Sequence, residues 1–531
     1  MKKGCLNLVL HAHLPFVRHP EYPDFLEEDW LFEAIKETYI PLLQVFEKLF
    51  KDGCPFHLTM SITPTLMSML EDELLQIRFV HYINNIISLC EKEIRRTETK
   101  PRLNKCARFY LKHFQEIAIF FTERYKCQLM KGFKFFAKKG CLEIITCPAT
   151  HGILPLLAIF PEAVNAQLEV GKTNYEKTMG FPPRGIWLAE CAYYPGHEVI
   201  LKKKGIQFFC VDAHGILYAF PRPKNSLFAP ICCPSGVYVF GRDMDSSKEV
   251  WSAKCGYPGD FNYREFYRDV GFDLDEKYLR PHMHECGIRT NLGIKYHRIT
   301  GKVALGDKDI YDPDNAMAMA KIHAADFILK RENQIRALSS RLPNIPIITS
   351  LYDAELFGHW WFEGPWFLEH LFRTAASGER LIETSTPMLC LEKLSDIQQS
   401  TPAASSWGHK GYFEFWLNKT NDWIYKHIFK ITQKMILAAR EYPQAQGQRK
   451  RILTQMAREV LLAQCSDWPF IMRTGTTVEY ATKRVNSHIS RYLKLEIMLR
   501  SGLVNNEELS DIESKDNIFP HLDYQVFAKT S

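Results

Sequence analysis

Residues 185–197 read GIWLAECAYYPGH. Gly185–Ala189 form a short apolar run with no polar face, the pattern of a strand buried on both sides. Glu190 then sets a carboxylate at the tip of that strand. A charge that ends a buried strand must face something other than the core. Two readings fit the residue by itself. It is either aimed into an active-site mouth or paired structurally with a nearby arginine, Arg184 or Arg222.

The same arrangement recurs along the chain. Leu6–Leu10 leads into HAHLPF, Phe56–Ser61 into ITPTL, Leu142–Thr146 into CPATHG, Ile206–Val211 into DAHG and Ile345–Leu351 into YDAELFGHW. Helical patterns at Trp30–Leu49, Pro161–Lys177 and Asp312–Leu342 lie between these runs. Strands alternating with helices specify βαβ units and a mainly parallel sheet. Polar clusters at strand C-terminal ends point to an α/β fold closed as a β/α barrel, whose active site occupies that face. An open doubly wound sheet is the alternative, but neither GxGxxG nor GxxxxGK[ST] occurs. Two stretches leave the rhythm. Residues 71–139 are charged and helical and read as an insertion within a catalytic region of residues 1–400. Residues 411–531 read as a C-terminal helical domain, reached through a Ser-, Pro- and Ala-rich linker at 398–409 and ending in a loose polar tail after Asn505.

The 531 residues are 46% hydrophobic and 24% charged, as in a globular chain with a large core. Net charge is +6 from 67 basic and 61 acidic residues, with no long basic stripe, which argues against a nucleic-acid partner. No window approaches 18 apolar residues, so no membrane span is expected. The Leu6–Leu10 run is too short for a secretory signal, and the 15 cysteines include no CxxC pair. Free thiols and a cytoplasmic location are the expectation.

Asp353 follows IITSLY much as Glu190 follows GIWLA, so both carboxylates face one cavity. Paired carboxylates are the minimal equipment for glycosyl transfer, one attacking the anomeric carbon and the other handling the proton. Trp360 and its neighbours in GHWWFEGPW supply flat faces on which sugar rings stack; core packing is the competing use. His11 and His13 also have two explanations. They hydrogen-bond sugar hydroxyls, or, with His151, His214 and Asp353, they ligate the metal of an amidohydrolase. The metal reading gives Glu190 and the tryptophans no task. A barrel that binds glucan without turning it over is a third possibility.

At this point the residues resemble family 57 of the glycoside hydrolases, in particular its 1,4-α-glucan branching enzymes. The resemblance rests on HAHLPF (11–16), CPATHGILPLL (147–157), GIWLAECAY (185–193), SLYDAELFGHWWFEGP (350–365) and SDWPFIM (466–472), and on the segment 240–269 that begins FGRD. It implies a (β/α)7 barrel with a helical insertion and a C-terminal all-helical domain. It further implies a retaining mechanism with Glu190 as nucleophile and Asp353 as general acid/base. His11, His13 and His151 would line the subsite of the attacked glucose. Trp30, Trp407 and Trp416 would hold the glucan, and Asp467 and Trp468 would come from the helical domain. The substrate would be an α-1,4-glucan, with no metal or organic cofactor, and the protein a monomer or small homo-oligomer. An α-amylase or 4-α-glucanotransferase is the alternative within the same chemistry. One departure stands out. Branching enzymes carry a loop over the site reading like PRPRYG, whereas residues 221–226 here read PRPKNS. Asn225 takes the place of the expected tyrosine, with Tyr218 or Phe228 as candidate substitutes. A weaker aromatic lid would admit more water to the transfer step.

Overall fold

The computed structural model describes residues 2–252 and 255–529. Residue 1 of the expected catalytic region, 253–254 of the 240–269 motif and 530–531 of the expected helical domain lie outside the described residues. The strands are β1 (Gly4–Ala12), β2 (Leu58–Ile62), β3 (Leu142–Ile145), β4 (Gly185–Ile186), β5 (Phe208–Val211), β6 (Ile231–Cys232), β7 (Tyr238–Gly241), β8 (Ile347–Asp353) and β9 (Ile382–Ser385). β1 is largely apolar, with Asn7 and His11 its polar residues, and is buried from end to end. It therefore takes the central place, pairing in parallel with β2, β8 and β9.

The strands form two groups, β3-β2-β1-β8 with β9 also on β1, and β4-β5-β7-β6. All pairings are parallel except β6 with β7. Backbone hydrogen bonds link the two groups at two places. Trp187 N donates to Thr146 O (2.8 Å) and Thr146 N to Gly185 O (3.2 Å) on one side, and Asp243 N donates to Thr349 O (2.7 Å) on the other. The result is an α/β fold with a mainly parallel sheet and a helical C-terminal region. Among the described residues, no helix is long and apolar enough to cross a membrane.

Helices Glu73–Arg96 and Pro101–Ile119 fill the span between β2 and β3, where residues 71–139 read as helical. β4 is shorter than the expected strand: only Gly185–Ile186 pair, and the chain then turns sharply through Ala189–Cys191. The linker expected at 398–409 is instead tied down, with Gln399 bridged to Cys232, Thr401 to Phe220 and Ser405 to Tyr193. The expected loose tail is also corrected. Helix Asn506–Lys515 follows Asn505, and Phe519, Tyr524 and Phe527 are buried. Those aromatics were diluted by polar neighbours in the sequence, but each reaches the main core. Phe527 is fully buried, so Phe527→Ala should cost about 3–5 kcal/mol. The check is a lower urea midpoint at unchanged slope, whereas a loose tail would leave the midpoint where it was.

Candidate active site

His11 and His13 lie two apart at the end of β1, so both side chains emerge on one face. His11 is in register with Ser61 on β2 and with Asp353 on β8. Its Nδ1 is 3.2 Å from Ser61 Oγ, and its Nε2 is 3.0 Å from His151 Nε2. Burial and the neighbouring imidazoles push both His11 and His151 well below the usual histidine range, so these rings are neutral and one donates to the other. The rings stack: His13 on His151 at 3.8 Å between centroids, and His11 on Trp187 at 4.5 Å. His13 Nε2 lies 2.8 Å from Asp467 Oδ2, and His151 Nδ1 lies 2.6 Å from Ser466 Oγ. Two consecutive residues at the start of helix Asp467–Thr474 thus hold the histidines that rise from the sheet.

Glu190 ends its segment in an unusual backbone conformation. Its φ is 59° and its ψ 25°, and Cys191 follows with φ 51°. His151 also has a positive φ, 59°. Left-handed backbone at a non-glycine residue costs about 1–3 kcal/mol and persists only where the surroundings impose it. Here it turns Glu190 out of the buried run and into the cavity. Trp407 fixes it there, donating from Nε1 to Glu190 Oε2 (2.7 Å) and from its backbone N to Glu190 O (3.1 Å). Arg184 pairs with Glu143 instead (2.9 Å), so the structural ion pair considered for Glu190 does not form with that arginine.

Burial, with the charges of Asp353 and Asp467, pushes Glu190 up to about 8 against the Trp407 hydrogen bond. Burial pushes Asp353 up to about 6, opposed by Arg242 and His13. Burial likewise raises Glu355 to about 8, against the hydrogen bond donated by Tyr39 Oη at 2.6 Å. Asp467 goes the other way. Burial disfavours its charge, but His13 beside it overcomes that and holds the carboxyl well below its ordinary range.

These groups open onto a cavity of about 1150 Å³. Trp30, Trp360, Trp407 and Trp416 line it, together with the three histidines, Glu190, Asp353 and Asp467. Trp468 does not: it is fully buried, its indole donating to Leu462 O (2.9 Å). Asn225 and Phe228, expected in a loop over the site, do not line this cavity. The 221–228 segment is held elsewhere by Lys224 N donating to Gln398 Oε1 (2.8 Å), Ser400 Oγ to Pro221 O (2.6 Å) and Ile347 N to Phe228 O (2.9 Å). Arg242 and Glu355 line the cavity without having been singled out. Glu355 had a signal, since it stands two residues beyond Asp353 as His13 does beyond His11. Arg242 had little, because it follows β7, which pairs antiparallel with β6 and so fell outside the strand–helix alternation.

His13, His151 and Asp467 are the cavity residues whose donor atoms converge closely enough for a metal. Those atoms are already engaged with one another, with His11 and with Ser466. His214, which the amidohydrolase reading needed, bonds Gly411 O (2.8 Å) and does not line the cavity.

A model of glycosyl hydrolase family 57 matches residues 7–399. The chain belongs to that family. A model described as the C-terminal region of 1,4-α-glucan branching enzymes matches residues 427–527. Among solved structures, this family 57 chain is similar to the α-amylase AmyC of Thermotoga maritima, with 45% identity, 99% of each chain covered and a TM-score of 0.93. It is also similar to a branching enzyme of Pyrococcus horikoshii, with 33% identity over 100% of this chain and 97% of the other and a TM-score of 0.89. A 1,4-α-glucan branching enzyme of Thermococcus kodakarensis is 33% identical over 97% of this chain and 77% of its own length.

Proposed function

We propose that this family 57 chain is a 1,4-α-glucan branching enzyme acting with retention. The observation that carries the reading is one cavity in which the carboxylates of Glu190, in the turn after β4, and Asp353, at the end of β8, meet beside a branching-enzyme-type helical region. In the first step Glu190 attacks the anomeric carbon while Asp353 protonates the departing glycosidic oxygen. The reducing-end fragment leaves, and the donor stays as an ester on Glu190. In the second step Asp353, now ionised, takes the proton of an acceptor 6-hydroxyl, whose oxygen displaces Glu190 and forms an α-1,6 link. His11, His13 and His151 hydrogen-bond the attacked glucose, and Asp467 fixes His13. No metal or organic cofactor enters these steps.

The frame for this chemistry is a closed ring in the order β1-β2-β3-β4-β5-β7-β8, a (β/α)7 barrel within residues 1–400. The hydrogen bonds between Thr146 and the β4 segment, and from Asp243 to Thr349, support closure. Residues 71–139 are the insertion and 411–531 the helical domain in this reading, and the protein works on α-1,4-glucan in the cytoplasm as a monomer or small homo-oligomer.

The acidities set an expected pH profile. Reaction needs one proton on the carboxylate pair: with two, no nucleophile is charged, and with none, no acid remains. Limbs near about 6 and about 8 follow, with activity rising through the first and falling through the second. In the ligand-free cavity the shared proton favours Glu190, the reverse of the working arrangement. The positive charge that develops at the anomeric carbon favours ionised Glu190 and so moves the proton to Asp353 in the transition state. A rate of cleavage that is flat from pH 5 to 9 would refute the pairing.

A second reading, hydrolysis of α-1,4 links, is favoured by the 45% identity to a structure titled as an α-amylase. Both use the same first step and differ only in the acceptor. Incubating the protein with amylose, counting new reducing ends and then counting α-1,6 links by debranching separates them. Branches with few new reducing ends establish transfer, and reducing ends alone establish hydrolysis.

A further inference from the structure

Helix Met244–Trp251 forms one wall of the cavity, and no sugar-binding role has been attached to it so far. Met244, Ser247, Lys248 and Trp251 all line the cavity, and their spacing of three, four and seven residues places them on one helical face. Ser246 and Val250 on the opposite face are buried. Ser246 pins the helix to β8, with its Oγ accepting from Ser350 Oγ (2.7 Å) and its carbonyl from Tyr352 Oη (2.8 Å). The wall therefore belongs to the strand that ends in Asp353. Ser247 Oγ also accepts from Arg242 Nε (3.1 Å), the residue whose charge acts on Asp353.

The tryptophans of the cavity divide by environment. Trp407 is bonded to Glu190, and Trp416 is 1% exposed. Trp360 is 54% exposed but stacks on Phe266 (4.5 Å between centroids), whereas Trp251, on the helix held to β8, is 65% exposed although it lines the cavity. Beside it Lys248 makes no ion pair among the described residues and is exposed. An open indole face next to an unpaired ammonium is suited to a sugar ring, whose C–H face packs on the aromatic while its hydroxyls accept from the cation.

Resting on the proposed transfer reaction, we infer that Trp251 and Lys248 bind the acceptor glucan and thereby set the balance between transfer and hydrolysis. The general acid/base acts on the leaving oxygen and then on the incoming one, so the departing and accepting chains both occupy its side of the cleft. A ring seated on Trp251 presents its hydroxyl to the ester on Glu190 and displaces water from that side. No bond changes beyond those already written.

The experiment measures, for wild type, Trp251→Ala, Trp251→Phe and Lys248→Met, the ratio of links formed by transfer to new reducing ends on amylose. Trp251→Ala should lower the ratio about five-fold, the loss of one aromatic stacking contact, and Lys248→Met should lower it less. Trp251→Phe should recover most of it. Trp407→Phe, on the donor side, should reduce cleavage and transfer together and leave the ratio near wild type. An unchanged ratio in Trp251→Ala, with cleavage reduced, would mean that the helix holds the donor and would overturn the proposal. If wild type makes no α-1,6 links but extends added maltooligosaccharides, the branching reading fails and the ratio still tests Trp251. If wild type transfers to no sugar at all, both fail.

Discussion

Glu190→Gln should slow cleavage of amylose by about 10,000-fold or more, the scale seen when a covalent nucleophile is removed. The amide keeps the shape and can still meet Trp407, so lost rate reports lost nucleophilicity rather than lost packing. A Glu190→Gly variant supplied with azide gives a sharper answer. Azide entering from the vacated side attacks the anomeric carbon once, and the product is the β-glycosyl azide. The α-azide, or a rate within ten-fold of wild type, would move the role to another cavity carboxylate. Asp467 is the nearest rival, but its Oδ2 is committed to His13 (2.8 Å) and to the Cys465 thiol (2.8 Å).

Asp353→Ala should lower the rate on amylose by about 100- to 10,000-fold, the usual range for a general acid. The loss should shrink sharply on α-glucosyl fluoride, because fluoride departs without a proton. With Glu190 still present, azide should now be captured in the second step and yield the α-azide. Equal losses on amylose and on the fluoride would show that Asp353 positions substrate and does not deliver the proton. The same variant should remove one limb of the pH profile, because a single carboxyl then governs ionisation in the cleft.

The recurring unit of buried strand followed by polar cluster was readable because burial on both faces leaves a largely apolar run, as in β1 and β8. It carried the two carboxylates and the three histidines to one face before any coordinates. It failed after β4 and at β7. Only Gly185–Ile186 pair in β4, so the backbone turn at Glu190 carried no pattern, and β7 pairs antiparallel with β6, so Arg242 fell outside the strand–helix alternation. Segment 398–409 has the composition of a linker, yet isolated bridges fix it and place Trp407 against Glu190. Asn225 is a different case. A motif resemblance implied a lid, while contacts distant in sequence, to Gln398 and Ser400, decide where that segment lies. Acidity was the least accessible property, since the order of Glu190 and Asp353 depends on which of them is closer to Arg242 and His13.

His13 and His151 rise from strand ends, but their partners Asp467 and Ser466 begin a helix more than 300 residues later. The helical region is therefore not a detachable module with its own task. A chimera that joins residues 1–399 to the corresponding helices of another enzyme replaces half of the histidine scaffold, whatever its intended change. Specificity gained or lost in such an exchange would be a property of the seam, and variation between relatives at the helix start bears on catalysis as directly as variation on the strands.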